Sequence, residues 1–387
     1  MNLEDRLRAG LNTPMDADED QFLDAVRRGA GSRRRRRAGA ALAAGALVVA
    51  GAAGIAVGVQ RDDAAPPRPP ATRTPSPTLP AEAARGVIDL VVNSPGEVYR
   101  LTTNVGCVAC TTVWAQAPGG DWIRVHDFGS EAYDGPPQPV FGPVTNLVMQ
   151  GSDGWAWGNK LFSTHDGGRT WSEVGQGPGR RTEAGHSVVI AGRFAWSLFR
   201  SIDAETVLYR SPVDADEWTE VPLPDGKADN LVRIGDAVVL DVQDEGLSNR
   251  RLRTSTDGVR WSRLAAPCLT DSLLLTAGRS AFLECPGKNG GALFRSTGLG
   301  PWQRFGGTIP ARAGVFALGE DRVLLNGPRS STLVTDGGTV RVSGLPGGAV
   351  TSAGSAEDLA YAVAFGEDSV GRLHRSSDGG RTWTQVE

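Results

Sequence analysis

The chain repeats itself. Thr164-His165-Asp166-Gly167-Gly168-Arg169-Thr170-Trp171 returns at the C-terminus as Ser376-Ser377-Asp378-Gly379-Gly380-Arg381-Thr382-Trp383. Self-similarity between distant segments is the signature of a repeat architecture and constrains the fold before any other reading. In the second copy Leu373 to Ser376 leads in, and Thr382-Trp383-Thr384-Gln385-Val386 leads out with β-formers. Between them, Asp can hydrogen-bond its own main chain two residues on. Gly takes positive φ without steric cost, so Asp-Gly-Gly between strands specifies a hairpin turn. The Trp just past the turn is large enough to cover the hairpin and pack on a neighbour.

Weaker copies emerge in the same register. Ser255-Thr256-Asp257-Gly258-Val259-Arg260-Trp261 is one residue shorter, and Ser211 to Trp218 keeps only the Ser and the Trp. Ser296 to Trp302 keeps Gly298 and Gly300, and Thr335-Asp336-Gly337-Gly338 is followed by Val340. Pro118-Gly119-Gly120-Asp121-Trp122 precedes them all. The anchors Trp122, Trp171, Trp218, Trp261, Trp302, Val340 and Trp383 are spaced by 49, 47, 43, 41, 38 and 43 residues. A spacing of about 40 residues is the length of a four-stranded propeller blade. Paired apolar runs precede most anchors, for example Ser187-Val188-Val189-Ile190 then Phe194-Ala195-Trp196. The expected fold is an all-β, seven-bladed β-propeller over residues 86–387. Six blades are the alternative, because the first and sixth units match least well.

The pattern Ser/Thr-x-Asp-x-Gly-x-Thr-Trp resembles the Asp-box (BNR) repeat of sialidase-like β-propellers. The resemblance implies that the box lies on the turn between the two outer strands of a blade, away from any ligand. It thereby marks Asp166, Gly168, Trp171, Asp257, Trp261, Asp336, Gly338, Asp378, Gly380 and Trp383 as structural. A further resemblance, to the Asp-box propellers that assist photosystem II assembly, concerns the fold alone.

The resemblance also raises a hydrolase reading. Retaining sialidases use a Tyr nucleophile, which needs a neighbouring Glu, an acid, and three Arg converging on the substrate carboxylate. The family's Arg-Ile-Pro motif does not occur here, and the chain has four Tyr: Tyr99, Tyr133, Tyr209 and Tyr361. Tyr209 belongs to an outer strand, and Tyr361 to a central strand at a core or channel position. No Ser/His/Asp set, phosphate loop or metal cluster is visible, and no cofactor or metal is expected. Fold alone hosts many functions, so the reading is a non-catalytic binding or scaffold module for a protein or glycan, with a glycan-active hydrolase or lyase as alternative. Binding on a rigid scaffold falls to its loops. The segment Gly129 to Pro143 offers Glu131, Tyr133 and Asp134 as ligand contacts, on the face opposite the box turns.

Ahead of the repeats, Ala38 to Val59 holds 22 residues without a charge. As a helix it spans about 33 Å, enough for a bilayer core. Five arginines, Arg33 to Arg37, precede it and place that side in the cytoplasm. Asp62-Asp63 and a Pro-rich stretch follow, an extended linker over 60–85. The expectation is a single-pass anchor with residues 1–37 inside and the propeller outside the cytoplasm. The 37 residues ahead of the span are long for a cleaved signal peptide. With 37 Arg against three Lys, the composition looks like that of a high-GC genome. The chain resembles membrane-anchored BNR-repeat proteins of actinobacteria.

Residues 1–37 carry 9 Arg and 7 Asp/Glu, and the remainder 31 basic against 37 acidic side chains, net −6. A mildly acidic exported domain argues against nucleic acid as partner. Leu3, Leu7 and Leu11 make a short apolar face that a cytoplasmic partner could use. A sensor coupling the propeller to such a partner is a further alternative. The four Cys, Cys107, Cys110, Cys268 and Cys285, all follow the span and read as disulfides. Cys268 opens one strand and Cys285 closes the next, so these two pair, leaving Cys107 with Cys110. His165, inside the first turn, is expected to be solvated.

Overall fold

The computed structural model describes residues 86–386 apart from 105–106, 118–119, 130–143, 159, 181–184, 201–205, 244–249, 269–271, 289, 311–312 and 367–369. These residues form seven four-stranded antiparallel sheets, each made of four consecutive strands. The blades span 86–128, 144–173, 185–221, 227–264, 273–309, 314–342 and 350–385. The inner strands are Gly86–Ser94, Val144–Gln150, Gly185–Ala191, Lys227–Ile234, Leu273–Ala277, Gly314–Gly319 and Val350–Ala356. Each touches the next, and the last touches the first. The protein is therefore an all-β, seven-bladed β-propeller, and the six-bladed alternative is overturned. Among the described residues no helix is long and apolar enough to cross a membrane. The expected span 38–59 and its flanks 1–37 and 60–85 lie outside the described residues.

The burial pattern explains the apolar runs. Blades pack face to face, so a blade's second strand is covered on both sides and reads as a continuous apolar run. Ala237–Gln243 is buried at every position but the last, and Leu359–Phe365 at every position but its ends. The fourth strands, such as Ser172–Glu173 and Thr384–Gln385, are short and exposed.

The ring closes without exchanging a strand, because the first blade comes wholly from the start of the described chain and the seventh wholly from its end. Side chains hold this seam instead. Val87, Leu90 and Val98 of blade 1 share one buried cluster with Tyr361, Val363 and Leu373 of blade 7. The Tyr361 hydroxyl donates to Gln116 Oε1 at 2.8 Å, and the Tyr361 ring meets Trp122 edge to face at 6.3 Å. Arg100, buried in blade 1, lies over the Trp122 ring at 4.3 Å. Gly371 is required here, since a Cβ would stand 2.0 Å from the Val87 carbonyl oxygen. Of the two positions open to Tyr361, core and channel, it takes the core.

A meander sends its connections alternately to two faces. Turns between first and second, and third and fourth, strands lie on one face (the turn face). The remaining connections, within and between blades, lie on the other (the loop face).

Candidate functional site

The repeated Ser/Thr-x-Asp turns lie on the turn face, between third and fourth strands, and their polar atoms are spent internally. Thr164 Oγ1 donates to Asp166 Oδ1 at 2.9 Å and accepts the Gly168 amide at 3.0 Å. The Thr170 amide and hydroxyl then donate to the two Asp166 oxygens at 2.9 and 2.7 Å. Trp171 Nε1 closes the loop on the Gly168 carbonyl at 2.9 Å. Ser376, Asp378, Gly380, Thr382 and Trp383 repeat every one of these contacts, at 2.7–2.9 Å. Desolvation acts against ionisation of Asp166 and Asp378, but the amide and hydroxyl donors outweigh it and hold both carboxyls below their ordinary value. At Asp257 the amides of Arg260 and Val259 do the same. The shorter blade 4 turn lacks the second Gly, and Trp261 Nε1 has no hydrogen-bond partner among the described residues.

Each anchor Trp is a staple onto the preceding blade. Trp171 meets Phe128 of blade 1 edge to face at 5.5 Å, and Trp218 meets Trp155 of blade 2 in the same way at 6.0 Å. Trp261 joins the blade 3 core around Trp196 and Leu208, and Trp383 the blade 6 core around Leu324 and Leu333. Trp302 donates to the Ala265 carbonyl just past blade 4. Trp122 packs on Tyr361 of blade 7, so the same staple closes the ring. Blade 6 departs from the pattern. Its third and fourth strands are joined by Asp336-Gly337 alone, with Thr335 opposite Gly338. Val340 is 42 % exposed. Asp336 takes no part in a serine or threonine turn; it accepts Arg295 of blade 5 at 2.8 Å. An ion pair thus stands where the other junctions have an indole.

His165 is not simply solvated. Its Nδ1 lies 2.8 Å from Asp153 of its own blade and its Nε2 3.4 Å from Asp216 of blade 3. Desolvation opposes protonation there, but the two carboxylates prevail and raise its pKa.

One end of every inner strand lies on the loop face. Four inner strands have a bulge near the end that faces it, between Val87 and Asp89, Val144 and Asn146, Ala228 and Asn230, and Val350 and Ser352. Asp89, the acid among these four, accepts the Leu90 amide at 2.9 Å and, across to blade 2, the Leu147 amide at 2.9 Å. It is also hydrogen-bonded to Ser352 of blade 7. Burial pushes its carboxyl up to about 6 against these donors. Asp89 was legible only as one acid within Val87-Ile88-Asp89-Leu90-Val91. Cys268 and Cys285 form a disulfide at the same end of blade 5, with Cα atoms 5.8 Å apart. Cys110 is also disulfide-bonded, while the Cys107 side chain lies outside the described residues. So do Glu131, Tyr133 and Asp134.

The described tyrosines bear on the hydrolase alternative. Tyr99, Tyr209 and Tyr361 are 7 %, 6 % and 1 % exposed; Tyr99 and Tyr361 belong to cores between blades and Tyr209 to a cluster within blade 3. Among the described residues no group of His, Cys, Asp and Glu is arranged to hold a metal ion.

Comparison with known proteins places the chain by fold. No protein-family profile matches it, and no curated protein matches it by sequence. The β-propeller domain of the trilobed protease from Pyrococcus furiosus, described as having an open velcro topology, is similar over 78 % of this chain and 98 % of its own. Its identity is 11 % and the TM-score 0.54. A puromycin-hydrolysing peptidase from Mycobacterium tuberculosis matches over 78 % of this chain at 13 % identity and a TM-score of 0.54. The chain spans about half of that peptidase, 52 % of its length. At these identities the likeness shows the fold alone.

Proposed function

We propose that the protein is a binding and scaffold module, a propeller held outside the cytoplasm by the 38–59 anchor, which receives a protein or glycan on its loop face without catalysis. The observation that carries this reading is the division between the two faces. On the turn face Asp166, Asp257 and Asp378 are engaged by their own turns, Asp336 pairs with Arg295, and the anchor indoles pack half-buried or buried against the preceding blade. The Asp-box resemblance assigns them the same structural role. We assign Glu131, Tyr133 and Asp134 to the opposite, loop face by chain order, between the end of blade 1 at Phe128 and the start of blade 2 at Val144. The burial of Tyr99, Tyr209 and Tyr361 weighs against these three as the nucleophile of the hydrolase alternative.

The test uses the full chain in lipid nanodiscs, presented to a glycan array and to cell-envelope extract. Replacing Glu131, Tyr133 and Asp134 together by Ala is expected to abolish capture, while Arg260→Ala on the turn face leaves it intact. Capture that survives the triple replacement but fails with Arg260→Ala would place the binding surface on the wrong face.

A further inference from the structure

We propose that Asp89 is a proton-operated clasp at the wall of the central channel, holding the first blade to the last and to the second, and that the ring tightens when Asp89 takes up a proton. The geometry gives it that place. An inner strand is a free sheet edge, whose outward amides have no strand partner and need an acceptor. The bulge after Val87 turns Asp89 along this edge. One carboxylate oxygen then accepts the Leu90 amide of its own strand and the other the Leu147 amide of the next blade, each at 2.9 Å. Ser352, just past the equivalent bulge of blade 7, completes the set. Three of the seven inner strands therefore meet on one side chain, at the seam that no strand exchange secures.

The partners suit both protonation states. A serine hydroxyl donates or accepts, so it can donate to the carboxylate or accept from the carboxylic acid, while the amides keep their acceptors. The groups that could compensate a charge are remote. The inner strands Val144–Gln150 and Val350–Ala356 and the second strand Leu359–Phe365 carry no charged side chain; Tyr361 on the last is bound to Gln116. From blade 1's second strand, Glu97 pairs with Ser94 at the other end and is bound to Asn93 and the Gly151 amide, Arg100 is engaged over Trp122, and Tyr99 lies in the blade 1–2 core. The third strand of blade 7 brings Arg372, His374 and Arg375, and no charged group contributes to the shift at Asp89. Burial therefore favours the neutral acid. Because the folded value is raised, the stabilisation is full below the unfolded value of 3.8 and is lost as pH rises through about 6.

The test is calorimetry of the full chain between pH 5 and 7.5, beside Asp89→Asn and Ser352→Ala. Asp89 alone should weaken the wild-type folding constant about tenfold across that interval, a fall of roughly 2 °C in Tm. Asp89→Asn should remove this component and leave the slopes due to histidines. Ser352→Ala deletes a donor to the anion and should move the midpoint upward. Hydrogen exchange at the Leu147 amide should slow on acidification more than the intrinsic rate predicts in wild type but not in Asp89→Asn. An unchanged pH slope in Asp89→Asn overturns the proposal. Should that variant not fold, an unmoved midpoint in Ser352→Ala, with no pH-dependent protection at Leu147 in wild type, overturns it equally.

Discussion

Tyr361→Phe and Tyr361→Ala test whether side chains alone keep the ring shut. The hydroxyl bonds Gln116 across 245 residues of sequence. Gln116 is only half-buried, so its freed oxygen can find water, and the Phe variant should cost about 0.5–1.5 kcal/mol. The Tyr361 ring is 1 % exposed and packs against Trp122. Truncation to Ala should cost roughly 3–5 kcal/mol, the range for large buried aromatics. For a domain of this size about 2 °C of Tm accompanies each kcal/mol, giving falls of about 1–3 °C and 6–10 °C. Phe282→Ala is the control, since Phe282 is equally buried, at 0 %, but inside the blade 5–6 core. The discriminating assay is hydrogen exchange read by peptide. Tyr361→Ala should loosen 86–94 and 350–376 ahead of 227–264, because opening the seam leaves distant blades folded. Phe282→Ala should spare the seam. Uniform acceleration across all blades in Tyr361→Ala, or a seam equally loosened by Phe282→Ala, refutes the idea that the ring opens preferentially between blades 7 and 1.

Three other outcomes follow from local geometry. Glu357 holds φ at +55° in a turn where blades 2 to 5 use Gly151, Gly192, Gly235 and Gly278; Glu357→Gly relieves strain of about 1–2 kcal/mol against a smaller chain-entropy loss, and Tm should rise. Replacing Cys268 and Cys285 by Ser opens a link of sequence separation 17, and denaturant titration should show a loss of about 3 kcal/mol. Asp378→Ala removes the acceptor of the Arg381 and Thr382 amides and should lower Tm. Because the folded pKa of Asp378 is depressed, its contribution is present above the unfolded value and disappears as pH falls through the acid range; wild type should therefore lose the advantage over Asp378→Ala in strong acid.

The repeat was the most legible part of the molecule because local chemistry fixes it. Asp378, Gly380 and Trp383 form their turn within one hairpin, and a Trp at each turn exit forecast packing on a neighbour. The Val340 anchor fits less well. A two-residue turn and an Arg295–Asp336 pair serve that junction, and an ion pair between blades leaves no periodic trace in sequence. His165 and Asp216 lie 51 residues apart and meet only because adjacent blades bring their turns together. Asp89 is harder still, since its partners Leu147 and Ser352 belong to the second and seventh blades. Long-range meetings of this kind depend on blade order and on bulge positions, which residue types alone do not encode.

Contiguous blades also impose an order on folding. Each of the first six blades can complete its own meander as soon as its four strands have emerged, using local contacts that form fast. The Gln116–Tyr361 contact cannot. Until the last blade is synthesised, the blade 1 face that carries Val87, Leu90 and Trp122 stays uncovered, an apolar surface waiting for the end of the chain. Ring closure then has to wait for the last blade. A nascent chain stalled before blade 7 should present that face to chaperones, while the finished propeller hides it.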